Sequence, residues 1–134
     1  MPLNIDSALG IHQEALRIHA RRAELLASNL ANADTPNFKA RDIDFKAALN
    51  QAQGQMQMQG LDRTEPGHMS GTTGSNLPGG AAMYRVPNQP SLDGNTVDVQ
   101  AEQAAFSENA VRYQASLRFL NDRIKGLLTA IRGD

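Results

Sequence analysis

Three histidines, one pair of aspartates and a methionine-rich run are the residues whose types and spacing could do chemistry. His12 and His19 stand seven apart on one helical face, about 10 Å along the axis, which is too far to share a metal ion. They read as seam residues with polar tips. His68 has no set of carboxylates and cysteines beside it. Asp42 and Asp44 alternate along an extended stretch without an aromatic-lined pocket, a poor arrangement for paired-carboxylate hydrolysis. Gly79-Gly80 lacks the strand and helix of a dinucleotide turn, and no P-loop is present. Met56 to Met69 lie in a Gln-rich run that reads as adaptable contact surface rather than as a copper site. With no cysteine there is neither a disulfide framework nor a thiolate metal site, and the redox compartment stays open. The expectation is a protein that is not an enzyme and that carries no cofactor and no metal.

Composition narrows the class further. The chain has 134 residues, 4% aromatic content and no Trp, too little for an isolated core of ordinary density. Its net charge of −1, with Lys and Arg dispersed, argues against nucleic acid or an acidic membrane surface as partner. Met-Pro-Leu-Asn-Ile-Asp at the N-terminus has no basic region and no long apolar run, so a cleaved secretion signal is not expected. No stretch approaches the roughly 18 apolar residues of a membrane span, so direct membrane insertion is not expected either. Composition alone reads as cytosolic.

The elements follow from periodicity. Ile5, Leu9, His12, Leu16, His19, Ala23, Leu26, Leu30 and Ala33 recur at steps of four and three, which predicts one helix over 4–33 with Asn4 as its N-cap. A second row, Ile11, Ile18, Leu25 and Asn32, widens its apolar face beyond what one neighbour covers. Asp34-Thr35-Pro36 breaks the helix, because proline lacks the backbone donor and disfavours a helical residue before it. Asn29 and Asn32 are placed to serve the carbonyls of the last turn. Residues 34–50 read as a polar, extended connector anchored by Phe38, Ile43 and Phe45. Its charges, Lys39, Arg41, Asp42, Asp44 and Lys46, are balanced in sign and read either as a solvated face or as subunit contacts.

Most of the glycines and prolines fall in 51–93, where no period persists and apolar residues are too few to offset the cost of ordering. This segment reads as a long, partly disordered loop, with one short strand at Ala82-Met83-Tyr84-Arg85-Val86. From Asn95, taken as a cap, to Arg132 a second helix carries Val99, Gln103, Phe106, Ala110, Tyr113, Leu117, Leu120, Ile124, Leu127 and Ile131 as its seam, with Gly133 at the exit. The fold class is all-α. Two terminal helices (1–33 and 94–134) close as an antiparallel coiled-coil hairpin, across a connector (34–50) and a flexible middle (51–93).

Ser28-Asn29-Leu30-Ala31-Asn32-Ala33-Asp34-Thr35-Pro36 resembles the N-terminal signature of the bacterial flagellar rod and hook proteins. The continuation Phe38-Lys39-Ala40-Arg41-Asp42-Ile43-Asp44-Phe45 is similar to the proximal-rod branch of that family. Asn37 departs from the glycine common there, but Asn tolerates positive φ, so the turn can survive. Asn95-Thr96-Val97-Asp98, Glu102, Asn109 and Tyr113 resemble the family's C-terminal helix, and Thr64, Pro66 and His68 fall in a looser match between the two.

The resemblance implies a structural subunit of the proximal rod, polymerising helically with itself and with other rod proteins to carry torque from motor to hook. It implies contact with the basal-body MS ring and its adaptor protein. It also implies export through the flagellar type III apparatus into the periplasmic rod without a cleaved signal, and terminal helices that order on assembly. On this reading Leu9, Leu16, Leu26 and Leu30 pack with Phe106, Tyr113, Leu117, Leu120, Ile124 and Ile131. Asn29, Asn32, Thr35, Pro36 and Phe38 set the bend. Lys39, Arg41, Asn95, Asp98 and Asn109 complete the assembly interface. The other class of function is a soluble coiled-coil adaptor or export chaperone, which explains the seams but not the motif from Ser28 to Phe45.

Overall fold

The computed structural model describes residues 5–58, 82–87 and 91–133. Helices α1 (Ile5–Ala31) and α3 (Val99–Arg132) pack against each other along their lengths. Asn29 meets Glu102 and His19 meets Asn109, so the two run antiparallel, as expected of the hairpin. At 1.5 Å per residue they measure about 40 and 51 Å. Asn4, the expected first cap, lies outside the described residues, as do Thr64, Pro66, His68 and the Gly79-Gly80 pair.

α3 begins four residues later than expected. Asp98 caps it, accepting from the N–H groups of Gln100 (3.1 Å) and Ala101 (3.3 Å). Asn95 is not the cap, because its side chain is engaged elsewhere. Gly133, at φ 73°, closes the helix with its N–H on Thr129 O, as expected of that exit.

Residues 45–58 depart from the expected connector and loop. They form a third helix, α2 (Phe45–Met58), started by the Asp44 carboxylate accepting from the Ala47 N–H at 3.1 Å. Phe45, Ala48, Leu49, Ala52 and Met56 recur at i, i+3, i+4, i+7 and i+11, and the Ala, Gln and Met between them are good helix formers. The period is hidden when the chain is divided at 50. α2 lies on α1, and Met56 Cε sits where a Cβ on Gly10 would come within 3.3 Å.

Between α1 and α2, strand β1 (Arg41–Asp42) pairs antiparallel with β2 (Met83–Tyr84), in register Arg41↔Tyr84 and Asp42↔Met83. The short strand expected over 82–86 is thus present, and its partner is the extended part of the connector. A two-residue ribbon is not stable alone, so its place is set by side chains.

The apolar core is small: Ile18, Leu26, Ala40, Ile43 and Ala48, flanked by Leu25, Phe45 and Leu49. On α3 the buried residues are polar. Glu102 and Asn109 face α1, with Ala101, Ala105, Ser116, Leu120 and Leu127 half-buried around that line. The expected seam therefore sits to either side of the line of contact. Phe106, Tyr113, Leu117, Ile124 and Ile131 keep substantial exposure.

Candidate assembly interface and the polar clasp beneath it

The bend after α1 is built from side-chain amides. Asn32 donates to Ser28 O at 2.8 Å, serving a last-turn carbonyl as expected. Asn29 turns inward instead. It donates to Arg41 O at 2.7 Å and accepts from Arg41 N–H at 3.0 Å, so its amide pairs with the connector as a neighbouring strand would. The carbonyls beyond α1 go to Asn95, whose Nδ2 lies 3.0, 2.8 and 2.8 Å from the oxygens of Asn32, Ala33 and Thr35. Its Oδ1 accepts from the Val97 N–H at 2.8 Å. Asn95 thus ties the end of α1 to the approach to α3.

Backbone bonds close the same junction. Asn37 N–H donates to Asp93 O at 2.8 Å, Thr96 N–H to Phe38 O at 3.0 Å, and Ala40 N–H to Thr96 Oγ1 at 2.7 Å. Lys39 Nζ donates to Gly94 O. Asn37 sits at φ 60°, the left-handed turn that asparagine sustains. Gly94 sits at φ 75°, where a Cβ would come within 2.5 Å of Asn37 Oδ1, so glycine is needed for both conformation and room.

Next to the clasp, four charges join all three regions of the chain. Asp42 Oδ1 accepts from Arg22 Nε at 2.8 Å, and Oδ2 from Arg85 Nη2 at 2.6 Å. Arg85 Nη1 also reaches Glu102, whose other oxygen accepts from Asn29 Nδ2 at 3.2 Å. Glu102 has no exposed surface, so its charge depends on those two donors. Burial pushes the Asp42 carboxyl up, but hydrogen bonds from Arg22, Arg85 and the Ile43 N–H more than offset this and hold it below the ordinary value. The hydrogen bond to Asp42 correspondingly raises the Arg22 guanidinium.

His19 forms the third polar contact. It is buried, its ring stacked on Phe45 at 4.3 Å between centroids. Asn109 Nδ2 donates to His19 O at 2.9 Å, so Asn109 Oδ1 is the acceptor for His19 Nδ1–H at 3.1 Å. Burial lowers the His19 pKa, the Asn109 bond partly opposes this, and Arg112 and Arg22 lower it further.

The residues expected at the assembly interface separate by burial. Leu26, Asn29, Asn95 and Asn109 are inside the chain's own fold. Leu9, Leu16, Leu30, Asn32, Phe38 and Leu120 are half-buried, whereas Thr35, Pro36, Lys39, Arg41, Asp98, Phe106, Tyr113, Leu117, Ile124 and Ile131 are exposed. Arg41 lies over the ring of Tyr84, 4.9 Å from its centroid, and donates to its hydroxyl at 2.9 Å. Arg22, Asp42, Arg85 and Glu102 were not expected as a unit. Their pairings join residues 17, 20 and 43 apart, and the one available signal was the seven-residue spacing of Asn95, Glu102 and Asn109. Among the described residues no group of His, Asp and Glu could hold a metal, and no helix is long and apolar enough to cross a membrane.

Comparison with known proteins supplies the context. The family model described as "Flagella basal body rod protein" matches residues 9–39, the second half of which carries the bend and the clasp. The flagellar basal body rod protein FlgB of Aeromonas hydrophila is 51% identical over 135 residues, covering 100% of this chain and 99% of its own. FlgB of Cereibacter sphaeroides ATCC 17029 is 51% identical over 126 residues, covering 94% of each chain. FlgB of Escherichia coli K12 is 42% identical over 135 residues, covering 96% of this chain and 95% of its own. Identity at this level, from end to end, is not shared by unrelated hairpins: the chain belongs to the FlgB family of flagellar basal-body rod proteins.

Proposed function

We propose that this flagellar rod protein is a subunit of the proximal rod, stacking helically through faces that its own hairpin leaves open. The observation that carries this reading is the apolar surface of α3. Phe106, Tyr113, Leu117, Phe119, Ile124, Leu128 and Ile131 stay exposed on a helix whose buried line is polar. Packed against a different patch of the neighbour, such a face makes a heterologous contact, which generates a rod where its rotation does not close into a ring. Torque then passes through packed helices rather than through flexible links. Thr35, Pro36, Lys39 and Asp98, exposed around the clasp, are assigned to contacts with the next subunit.

The partners in this reading are other rod proteins, the MS ring with its adaptor protein, and the type III apparatus that exports the chain without a cleaved signal. It has no catalytic role and takes no cofactor. Beyond Asn109, α3 has no fully buried residue among those described, and most helical stability in proteins comes from tertiary packing. This supports ordering of that half on assembly. A soluble adaptor or chaperone is not favoured, since it leaves the end-to-end likeness to rod proteins unexplained.

The test is hydrogen exchange in the purified monomer and in isolated basal bodies. Residues 112–132 are expected to exchange fast in the first and slowly in the second. Absence of the chain from basal bodies, or full protection of 112–132 in the monomer, would remove the proposal.

A further inference from the structure

The buried polar side chains of the second half are Asn95, Glu102 and Asn109, and they are spaced by seven. Half-buried Ser116 continues the row. A heptad row is the line that faces a partner helix, where apolar residues normally stand. On α3 it is polar at Glu102 and Asn109, Asn95 stands just before the helix, and each of the three meets a chemically different set of partners.

Across the junction with α1, Asn95 meets acceptors, the carbonyls of Asn32, Ala33 and Thr35. Glu102 meets only donors, Arg85 and the Asn29 amide. Asn109 meets one of each on a single residue, the His19 carbonyl and ring N–H. The apolar rows flanking this line repeat every seven residues on both helices, so sliding α3 by one heptad re-forms much the same apolar contact. It does not re-form the polar contacts. Slid one way, Glu102 would move toward the carbonyl oxygens at the end of α1; slid the other, it would face the His19 carbonyl; in either case it leaves Arg85 and the Asn29 amide, and Arg85 keeps Asp42 alone. An unpaired buried charge is the costliest outcome available in such an interface.

We infer that Asn95, Glu102 and Asn109 are positioning residues that fix the register of α1 against α3, with Glu102 the most discriminating of them. Their role is to exclude slipped hairpins rather than to add stability. Polar residues on a heptad line are well suited to this, since they weaken the pair slightly while penalising every other alignment far more. Register decides which rows of α1 and α3 lie side by side on the outer surface. A slipped chain would present a different face to a neighbour.

The absence of cysteine makes the test direct. Cysteines placed at exposed Ala20 and Ala115 carry spin labels, and the distance between them is read by pulsed electron resonance on the full chain. The parent gives one distance. The triple variant Arg85→Met, Glu102→Met, Asn109→Leu is expected to melt within about 5 °C of the parent, because well-packed apolar replacements of a buried ion pair are often neutral or stabilising. It should show a second population displaced by about 10 Å, one heptad of helix rise. Glu102→Gln alone, which keeps the shape and one of the two acceptor oxygens, should keep the single distance. A triple variant with the parent's single distance would overturn the inference by showing that apolar packing sets register. So would a triple variant that fails to fold, which would make the row a source of stability, or Glu102→Gln with two distances.

Discussion

Asn29 is a residue whose value lies in having both a donor and an acceptor on one planar group. Its Oδ1 takes the Arg41 N–H, and its Nδ2 serves both Arg41 O and Glu102. Asn29→Asp keeps the volume, removes the donor and puts a second carboxylate beside the fully buried Glu102. The expected loss is about 3 kcal/mol or more, read as a shift in the urea midpoint, and larger than that of Asn29→Ala. Equal losses would mean that the charge at Glu102 is already well screened. His19 makes a pH prediction. Its folded pKa lies below the ordinary 6.5, so the unfolded chain binds more protons in the window between the two values, and stability rises with pH there. The contribution is fully present above 6.5 and is lost as pH falls toward the lowered value. His19→Gln should flatten the rise of unfolding free energy with pH just below 6.5. An unchanged slope would assign the effect to another group. Asp42 acts in a lower window: its folded pKa is depressed below 3.8, so its contribution is present above that value and lost as pH falls through the folded one.

At the level of elements, the β-ribbon is held by one side chain more than by its own ladder. Arg85 bridges Asp42 and Glu102, and its N–H donates to Ala40 O at 2.9 Å. Arg85→Ala leaves a fully buried carboxylate with one amide donor, which is expected to cost about 3–5 kcal/mol. Loss of β2 protection in hydrogen exchange, with α1 and α2 still protected, is the matching local signature; loss spread evenly over all three would refute the local account. This element also shows where sequence reading stops. The helices α1 and α3 were legible because apolar residues repeat along them, and the left-handed Asn37 because few other side chains accept that turn. α2 was obscured by a boundary drawn through its period. Of the clasp only the Asn32 contact was legible, since an amide that reaches carbonyls some sixty residues away leaves no periodic trace. Asn95, Glu102 and Asn109 were visible as family-like positions, but Asn95 was read as a helix cap, and Asn95 and Asn109 as contacts with other subunits. Only their common spacing of seven pointed toward the helix interface.

For the whole molecule, the distribution of polar and apolar surface separates folding from assembly. The buried residues of α1 and α3 lie within Ile18–Asn29 and Glu102–Asn109, close to the clasp, while the rest of α3 carries large apolar side chains in water. Phe119 and Ile131 are 65% and 75% exposed. A substitution in the first region and one in the second should therefore fail differently. Ile18→Ala, in the core, is expected to lose about 2–4 kcal/mol of monomer stability through lost transfer energy and a residual cavity. Leu117→Asp, on the open face, should change monomer stability by no more than about 0.5 kcal/mol, because surface substitutions away from buried features are nearly neutral. Its effect belongs to the assembled state, where the same carboxylate would be desolvated against a neighbour without a partner. The expected phenotype is a stable, exported chain absent from isolated basal bodies, with motility lost. Ile131→Asp should behave likewise, and Leu120→Asp, half-buried on the hairpin side, should show both defects. If Leu117→Asp and Ile131→Asp both supported normal swimming, the open face of α3 would not be where subunits meet. The contact would then have to be sought at the exposed side of α1 and around the clasp.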